Sequence, residues 1–270
     1  MIDIDMSYGI KSVWEHDRDY QIACLQGILG TIRNISNNEI LSLHLEYLTN
    51  IGAFFVHNDD YIAENFGEHI KEPKFGIYNS EGRCFLTGRL AIPLTMFDDS
   101  VRGFVGYSKK PEELSSDEIF VKYLYPPKYA FNKSRYMFIT PEEYLRALHE
   151  QYICIVDGLF DKIILQCLGI NAVSLCGSSL TVWHRYYLSF IKHKIVVADN
   201  DIAGRHLASY CKHTLQNCIE LIQSDTGDID SYIRSGEHLQ RIKNAIEEMK
   251  NEGFLISKKL PVVHSCGGII

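Results

Sequence analysis

The sequence predicts an α/β fold, α+β over the whole chain: a parallel-sheet domain, preceded by a helical and mixed β subdomain, with a C-terminal helix. Three observations carry this. Apolar residues recur at helical spacing near the N-terminus, and the period changes to that of strands from about residue 74. From Glu150 onward, short apolar runs alternate with helical stretches, the pattern of βαβ units around a fully buried parallel sheet. The expected divisions are an N-terminal helical segment at 1–73, a mixed β basic subdomain at 74–149, the parallel-sheet domain at 150–235, and a C-terminal helix and tail at 236–270.

Between residues 18 and 66, Ile22, Leu25, Ile28, Leu29 and Ile32, then Ile40, Leu43, Leu45 and Leu48, predict two or three helices broken at Asn37-Asn38. FGIYNSEGRCFLT reads as a hairpin over residues 79–82, and RLAIPLTMFDDSVRGFVGYS as a second turning at Asp98-Asp99. A polar loop is expected from Pro111 to Asp117, and Pro126-Pro127 forbids regular structure. The strands YICIV, NAVSLCG, KIVVAD and CIELIQ then alternate with the helices DGLFDKIILQCLG, SLTVWHRYYLSFI and AGRHLASYCKHTL. GEHLQRIKNAIEEMKNEG predicts a terminal amphipathic helix stopped by Gly253.

At 270 residues, 46% hydrophobic and 23% charged, the chain can bury a real core. MIDIDMSYGIKSVWEHD has no basic segment leading into an apolar run, and no apolar stretch approaches membrane-spanning length, so neither a signal peptide nor a membrane helix is expected. The 8 Cys stand singly, which predicts reduced thiols and no zinc site. The net charge of −7 argues against a protein that coats DNA. Charge is nevertheless local: from Arg83 to Arg135 nine bases face six acids, and carboxylates dominate later.

Those carboxylates fall at strand ends. Asp157 and Asp161 follow YICIV, Asp199 and Asp201 follow KIVV, and Asp225, Asp228 and Asp230 follow CIELIQ. Ligands of open parallel sheets sit outside the carboxyl ends of the strands, and neighbouring strands are only about 4.8 Å apart. Such a set predicts its own cation, since packed carboxylates repel. Mg²⁺ suits it, being hard and satisfied by one or two protein carboxylates plus water and phosphate, while a pair of ions serves phosphoryl displacement. A lone Asp after a strand is commonly a helix N-cap, and that reading would suffice for Asp157 and Asp199. It accounts less easily for Asp201 beside Asp199, or for Asp228 and Asp230.

VDGLFD at 156–161, INAVSLCGSSLT at 170–181 and ADNDIAGR at 198–205 together resemble the Toprim domain, and DIDSYI resembles the Asp-Pro-Asp segment that follows in primases. GRLAIPLTMFDDSVRGFVGYS and KYLYPPKYAFNKSRYMF resemble the strand pair and basic motif of a bacterial or phage primase RNA-polymerase core, and the similarity runs from about 44 to 235. The resemblance implies catalytic roles for Asp157, Asp161, Asp199 and Asp201, with Mg²⁺, or Mn²⁺ in its place, on Asp157, Asp199, Asp201, Asp228 and Asp230. It implies that Arg89, Lys122, Lys133 and Arg205 hold nucleotide and nucleic acid, and that the chain makes RNA primers from NTPs on single-stranded DNA in the cytoplasm of a bacterium or phage-infected host.

The chain departs from the family pattern at four positions. Asp157 stands for Glu and Asn200 for the Gly of Asp-Gly-Asp, where Asn tolerates left-handed backbone. Thr87 and Tyr107 stand where Arg is usual. With no zinc-binding motif and no GxxxxGK[ST] loop, a separate helicase or template-recognition protein is the expected partner, and no membrane. Two other functions use the same residues: a Toprim nuclease, which needs no triphosphate cradle, and a non-catalytic replisome protein derived from a primase.

Overall fold

A computed structural model gives the fold over residues 5–32, 38–108, 121–222 and 237–258. Helices α1 (Ser7–His16), α2 (Arg18–Gly27, continued by a π turn to Ile32) and α3 (Asn38–Asn50) precede strand β1 (Phe54–Val56) and the short α4 (Tyr61–Phe66). Strands β2 (Arg89–Thr95), β3 (Val101–Tyr107) and β4 (Tyr123–Leu124) complete an antiparallel sheet of order β1-β2-β3-β4. The region expected to be helical therefore also donates a strand: FFV is too short to show a period, and it pairs Phe54 with Ala91.

The expected turn at Asp98-Asp99 joins β2 and β3, with Asp99 in left-handed backbone (φ 62). Pro93 sits within β2 without breaking it, because β1 ends opposite Ala91 and the β2–β3 register shifts between Pro93 and Thr95. The hairpin expected over 79–82 reduces to one bridge, Tyr78 with Cys84. There Asn79 Oδ1 accepts from the amides of Glu81 and Arg83, which closes the turn without a ladder.

Helix α5 (Pro141–Glu150) leads into the second sheet, and its start is a capping box: Thr140 accepts from the Glu143 amide while Glu143 accepts from the Thr140 amide, with Pro141 at the first position. Strands β5 (Tyr152–Val156), β6 (Ala172–Ser174), β7 (His193–Ala198) and β8 (Cys218–Ile222) are all parallel, in the order β6-β5-β7-β8. Helices α6 (Leu159–Cys167), α7 (Val182–Leu188) and α8 (Ile202–Thr214) connect them, and α9 (Glu237–Lys258) closes the described chain. That last helix runs through Gly253 instead of stopping there; a glycine costs a helix about 1 kcal/mol but does not by itself end it. The polar loop expected at 111–117 and the acids Asp225, Asp228 and Asp230 lie outside the described residues.

Alternation decides which face each strand residue buries. Ile153, Ile155, Val196 and Ala198 pack with α5, α7 and α8, whereas Tyr152, Cys154, Val156, Ile195 and Val197 pack with α6 and α9. Helix α6 has two clients. Ile164 and Leu165 face the parallel sheet, while Leu159, Phe160 and Ile163 join the core of the antiparallel sheet with Leu90, Ile92, Val105 and Tyr107. The Phe160 and Tyr107 ring centroids are 4.6 Å apart.

One charged group lies inside this joint. Lys162 is fully buried, pairs with Glu143 at 2.6 Å and donates to the Tyr47 hydroxyl, which itself donates to Glu143 at 2.9 Å. The trio ties α3, α5 and α6 together, and every polar atom in it has a partner, as a buried ion pair requires.

Candidate active site

The sheet order places β5 beside β7 and β7 beside β8, so the acid-bearing strand ends are neighbours. The chain leaves β5 for β6 on one side and reaches β7 on the other. Ligands of open α/β sheets occupy the crevice at such a reversal. Asp157 follows β5 there, and Asp199 follows β7.

Two adjoining hollows open at this point. The first, of about 150 Å³, is lined by Asp157, Asp161 and Asp199 together with Lys122 and Tyr123. The second, of about 320 Å³, is lined by Lys133, Tyr123, Tyr125, Cys176 and Gly177. Asp157 and Gly158 border both.

Backbone bonds fix the acids. The Asp157 carbonyl accepts from Ser174 Oγ (2.8 Å) and from the Gly177 amide (3.2 Å), which locks the β5 end to the loop after β6. The Asp161 carboxylate folds back over Gly158, where any Cβ would overlap it. Gly204 lies against the Asp199 backbone with the same intolerance. The two glycines are thus close-approach positions on which the placing of Asp161 and Asp199 depends.

Capping falls differently from the expectation. The N-cap of α6 is Gly158, with no side-chain bond, so Asp157 is not a cap. Asp201 is the residue that caps α8, its Oδ1 accepting from the Gly204 amide at 2.6 Å. Asp201 is exposed and lines neither hollow, but its charge still reaches Asp157. Burial above all raises the Asp157 carboxyl above its ordinary range; the amides of Asp157 and Gly158 oppose this, Asp201 adds to it, and Lys122 opposes it. Asn200 is not among the described residues with left-handed backbone, so it does not substitute for glycine in that way.

The bases divide. Lys122 and Lys133 reach the hollows, each over a tyrosine ring: Lys122 Nζ is 5.6 Å from the Tyr123 centroid, and Lys133 Nζ is 4.6 Å from that of Tyr125. A Cβ on Gly177 would stand 3.3 Å from Lys133 Nζ. Arg89 lines neither hollow, and its Nη1 donates to the Val121 carbonyl at 3.0 Å, beside Lys122. Arg205 also lines neither, and donates to the Asn200 carbonyl at 3.3 Å. The two positions where arginine is usual hold other structure: Thr87 donates to Asp59 (2.6 Å), and Tyr107 is buried against Phe160. Tyr123 and Tyr125 were absent from the sequence expectation; the i, i+2 spacing in Tyr-Leu-Tyr is the signal that puts both on one side.

Residues 154–233 match the model of the Toprim-like family. The E. coli primase catalytic core superposes with a TM-score of 0.66 at 22% identity, over 88% of this chain and 76% of that one. The fold is that of a primase catalytic core. A DnaG primase catalytic domain bound to ssDNA gives 0.63 at 21% identity, over 90% and 82%. The zinc-binding and RNA polymerase domains of Aquifex aeolicus primase give 0.66 at 20% identity, over 91% of this chain and 62% of that one. No curated protein matches the sequence significantly.

Within this primase-type core, no three His, Cys, Asp or Glu groups among the described residues stand close enough together to hold a metal ion. Mg²⁺ asks for less than that, taking one or two carboxylates and filling its octahedron with water and phosphate. Three carboxylates around one small hollow fit that demand. Among the described residues no helix is long and apolar enough to cross a membrane.

Proposed function

We propose that the chain synthesises short RNA primers from nucleoside triphosphates on single-stranded DNA. The observation that carries this reading is the meeting of Lys122 and Lys133 with Asp157, Asp161 and Asp199 around two hollows that share Asp157. A nuclease has no need of a lysine pair beside its acids, whereas a polymerase must cradle a triphosphate. Likeness to a DnaG catalytic domain bound to ssDNA supports the choice of template.

In this reading Lys122 and Lys133 hold the triphosphate oxygens by charge-assisted bonds. The tyrosines beneath them restrict where each ammonium sits. Arg89 steadies the Lys122 segment, and Arg205 borders the path of the nucleic-acid backbone. Mg²⁺ on Asp157, Asp199 and Asp201, with Asp228 and Asp230 completing the set, would activate the primer hydroxyl and neutralise the departing pyrophosphate. Asp161, held over Gly158, keeps a further carboxylate at the same spot.

The test combines single-stranded DNA, labelled NTPs and Mg²⁺ with the whole chain. Primers that disappear in Asp199→Ala support the reading. If no product forms even with replisome proteins added, and the variant behaves identically, the proposal fails. Metal-dependent nicking without NTPs would instead assign the acids to hydrolysis.

A further inference from the structure

A separate cavity of about 310 Å³ lies on the antiparallel-sheet side of the molecule. Phe75, Phe131 and Tyr136 give it aromatic walls, and Lys74, Arg102 and Arg135 give it three cations. Among the described residues, no carboxylate lines it. The three rings are buried (6%, 7% and 4% exposed), so the floor is fixed before any ligand arrives.

The cations are held by partners that a ligand could replace. Lys74 pairs with Glu72 at 2.7 Å and Arg102 with Asp98 at 3.1 Å, and both carboxylates are half exposed or more (51% and 62%). Such surface pairs are worth only about 0–1 kcal/mol. Arg135 lies 5.1 Å over the Trp183 ring.

We infer that this cavity binds one nucleotide, with its base against the aromatic walls and its phosphate among Lys74, Arg102 and Arg135. Aromatic faces take any base by stacking, and guanidinium forks suit phosphate oxygens. The volume is at the small end of ligand pockets, about 300 Å³, which suits one nucleotide. An acidic peptide would use the cations but leave the rings without purpose.

The site is distinct from the acidic hollows yet shares a segment with them. In the turn Lys133–Arg135, Lys133 faces the Asp157 hollow and Arg135 faces the cavity. The inference does not rest on the polymerase reading, because it needs neither metal nor catalysis.

Calorimetry of the whole chain with ATP or GTP in excess EDTA tests it, since chelation silences any metal-dependent binding at the acids. Saturable binding is expected, weakened about tenfold or more in Arg135→Gln and in Phe75→Leu, and retained in Asp199→Ala. Photolabelling of the unmodified protein by azido-ATP in EDTA should mark the peptide carrying Lys74 and Phe75, which line the cavity and neither acidic hollow, and this reports the site even if a variant misfolds. Competition by a short deoxythymidine oligonucleotide against dTMP separates the sources. Tighter binding of the oligonucleotide assigns the cavity to a nucleotide within a strand, and tighter binding of the monomer to a free nucleotide. No binding in EDTA, binding unaltered in both folded cavity variants, or label confined to residues around Asp157 would overturn the inference.

Discussion

The Asp161 carboxylate rests on the bare Cα of Gly158, in space that a methyl group would fill. Gly158 itself has φ −85 and ψ 145, an extended conformation open to any residue. Gly158→Ala is therefore expected to act through displacement of Asp161 and not through backbone strain. Primer synthesis should fall by about tenfold to a hundredfold, the upper value being the cost of an ångström of misplacement at an active site. In an Asp161→Ala background the same substitution should cost almost nothing more, and a double-mutant cycle measures that coupling.

Lys133, on the turn Lys133–Arg135, and Asp199, at the end of β7, border adjoining hollows, and their loss should be read differently in kinetics. Lys133→Gln is expected to raise KM for NTP about tenfold with a smaller change in kcat, because it removes a phosphate contact present before the reaction. Asp199→Ala should lower kcat by about 100-fold or more. Steady-state rates over an NTP series distinguish the two patterns. Equal loss of kcat in both would remove Lys133 from the nucleotide cradle.

Lys162→Met leaves Glu143 buried among α3, α5 and α6 with its cation gone. Breaking a buried pair from one side costs about 3–5 kcal/mol. Urea unfolding should show a loss of that order, partly recovered when Glu143→Gln is added, since the amide still accepts and carries no charge. A loss under about 1 kcal/mol would mean that water reaches the pair.

His184 is buried on α7, with Nδ1 accepting from the Thr181 amide and Nε2 2.8 Å from the Tyr136 carbonyl. Burial lowers its pKa below the ordinary 6.5, and the backbone carbonyls of Tyr136 and Ser179 only partly oppose that. The folded state thus prefers neutral imidazole. Its contribution to stability is complete above pH 6.5 and is lost as pH falls below that value toward the folded pKa. Thermal unfolding between about pH 7.5 and 5 should show a decline that is shallower in His184→Gln. Equal slopes would sink the assignment.

The parallel sheet was legible because YICIV and KIVVAD are uninterrupted apolar runs, and their adjacency followed from the acids that each carries at its end. Helix α5 was equally legible in Thr-Pro-Glu-Glu but was not anticipated. The single bridge at Tyr78 was not legible, since turn residues mark a reversal of the chain without specifying how many ladder bonds follow. Nor could spacing assign the cap: Asp157, Asp199 and Asp201 all precede helices, and only backbone geometry selects Asp201. The meeting of Lys133 with Asp157 brings a turn from outside the parallel sheet to the end of β5, and without the family resemblance no local pattern in the sequence encodes it. The buried contact of Tyr47 with Lys162 spans 115 positions and is invisible to any periodicity.

Helix α6 begins at the acids, and its first turn already packs into shared territory, with Phe160 against Tyr107 and Lys162 against Tyr47. A cut before β5 would therefore strip one flank of that helix, exposing Phe160 and removing both partners of Lys162. The Toprim-like stretch is not a portable module that can be lifted out and grafted onto another protein. Any shortened version of this chain has to keep α3, α5 and β3 in company with it.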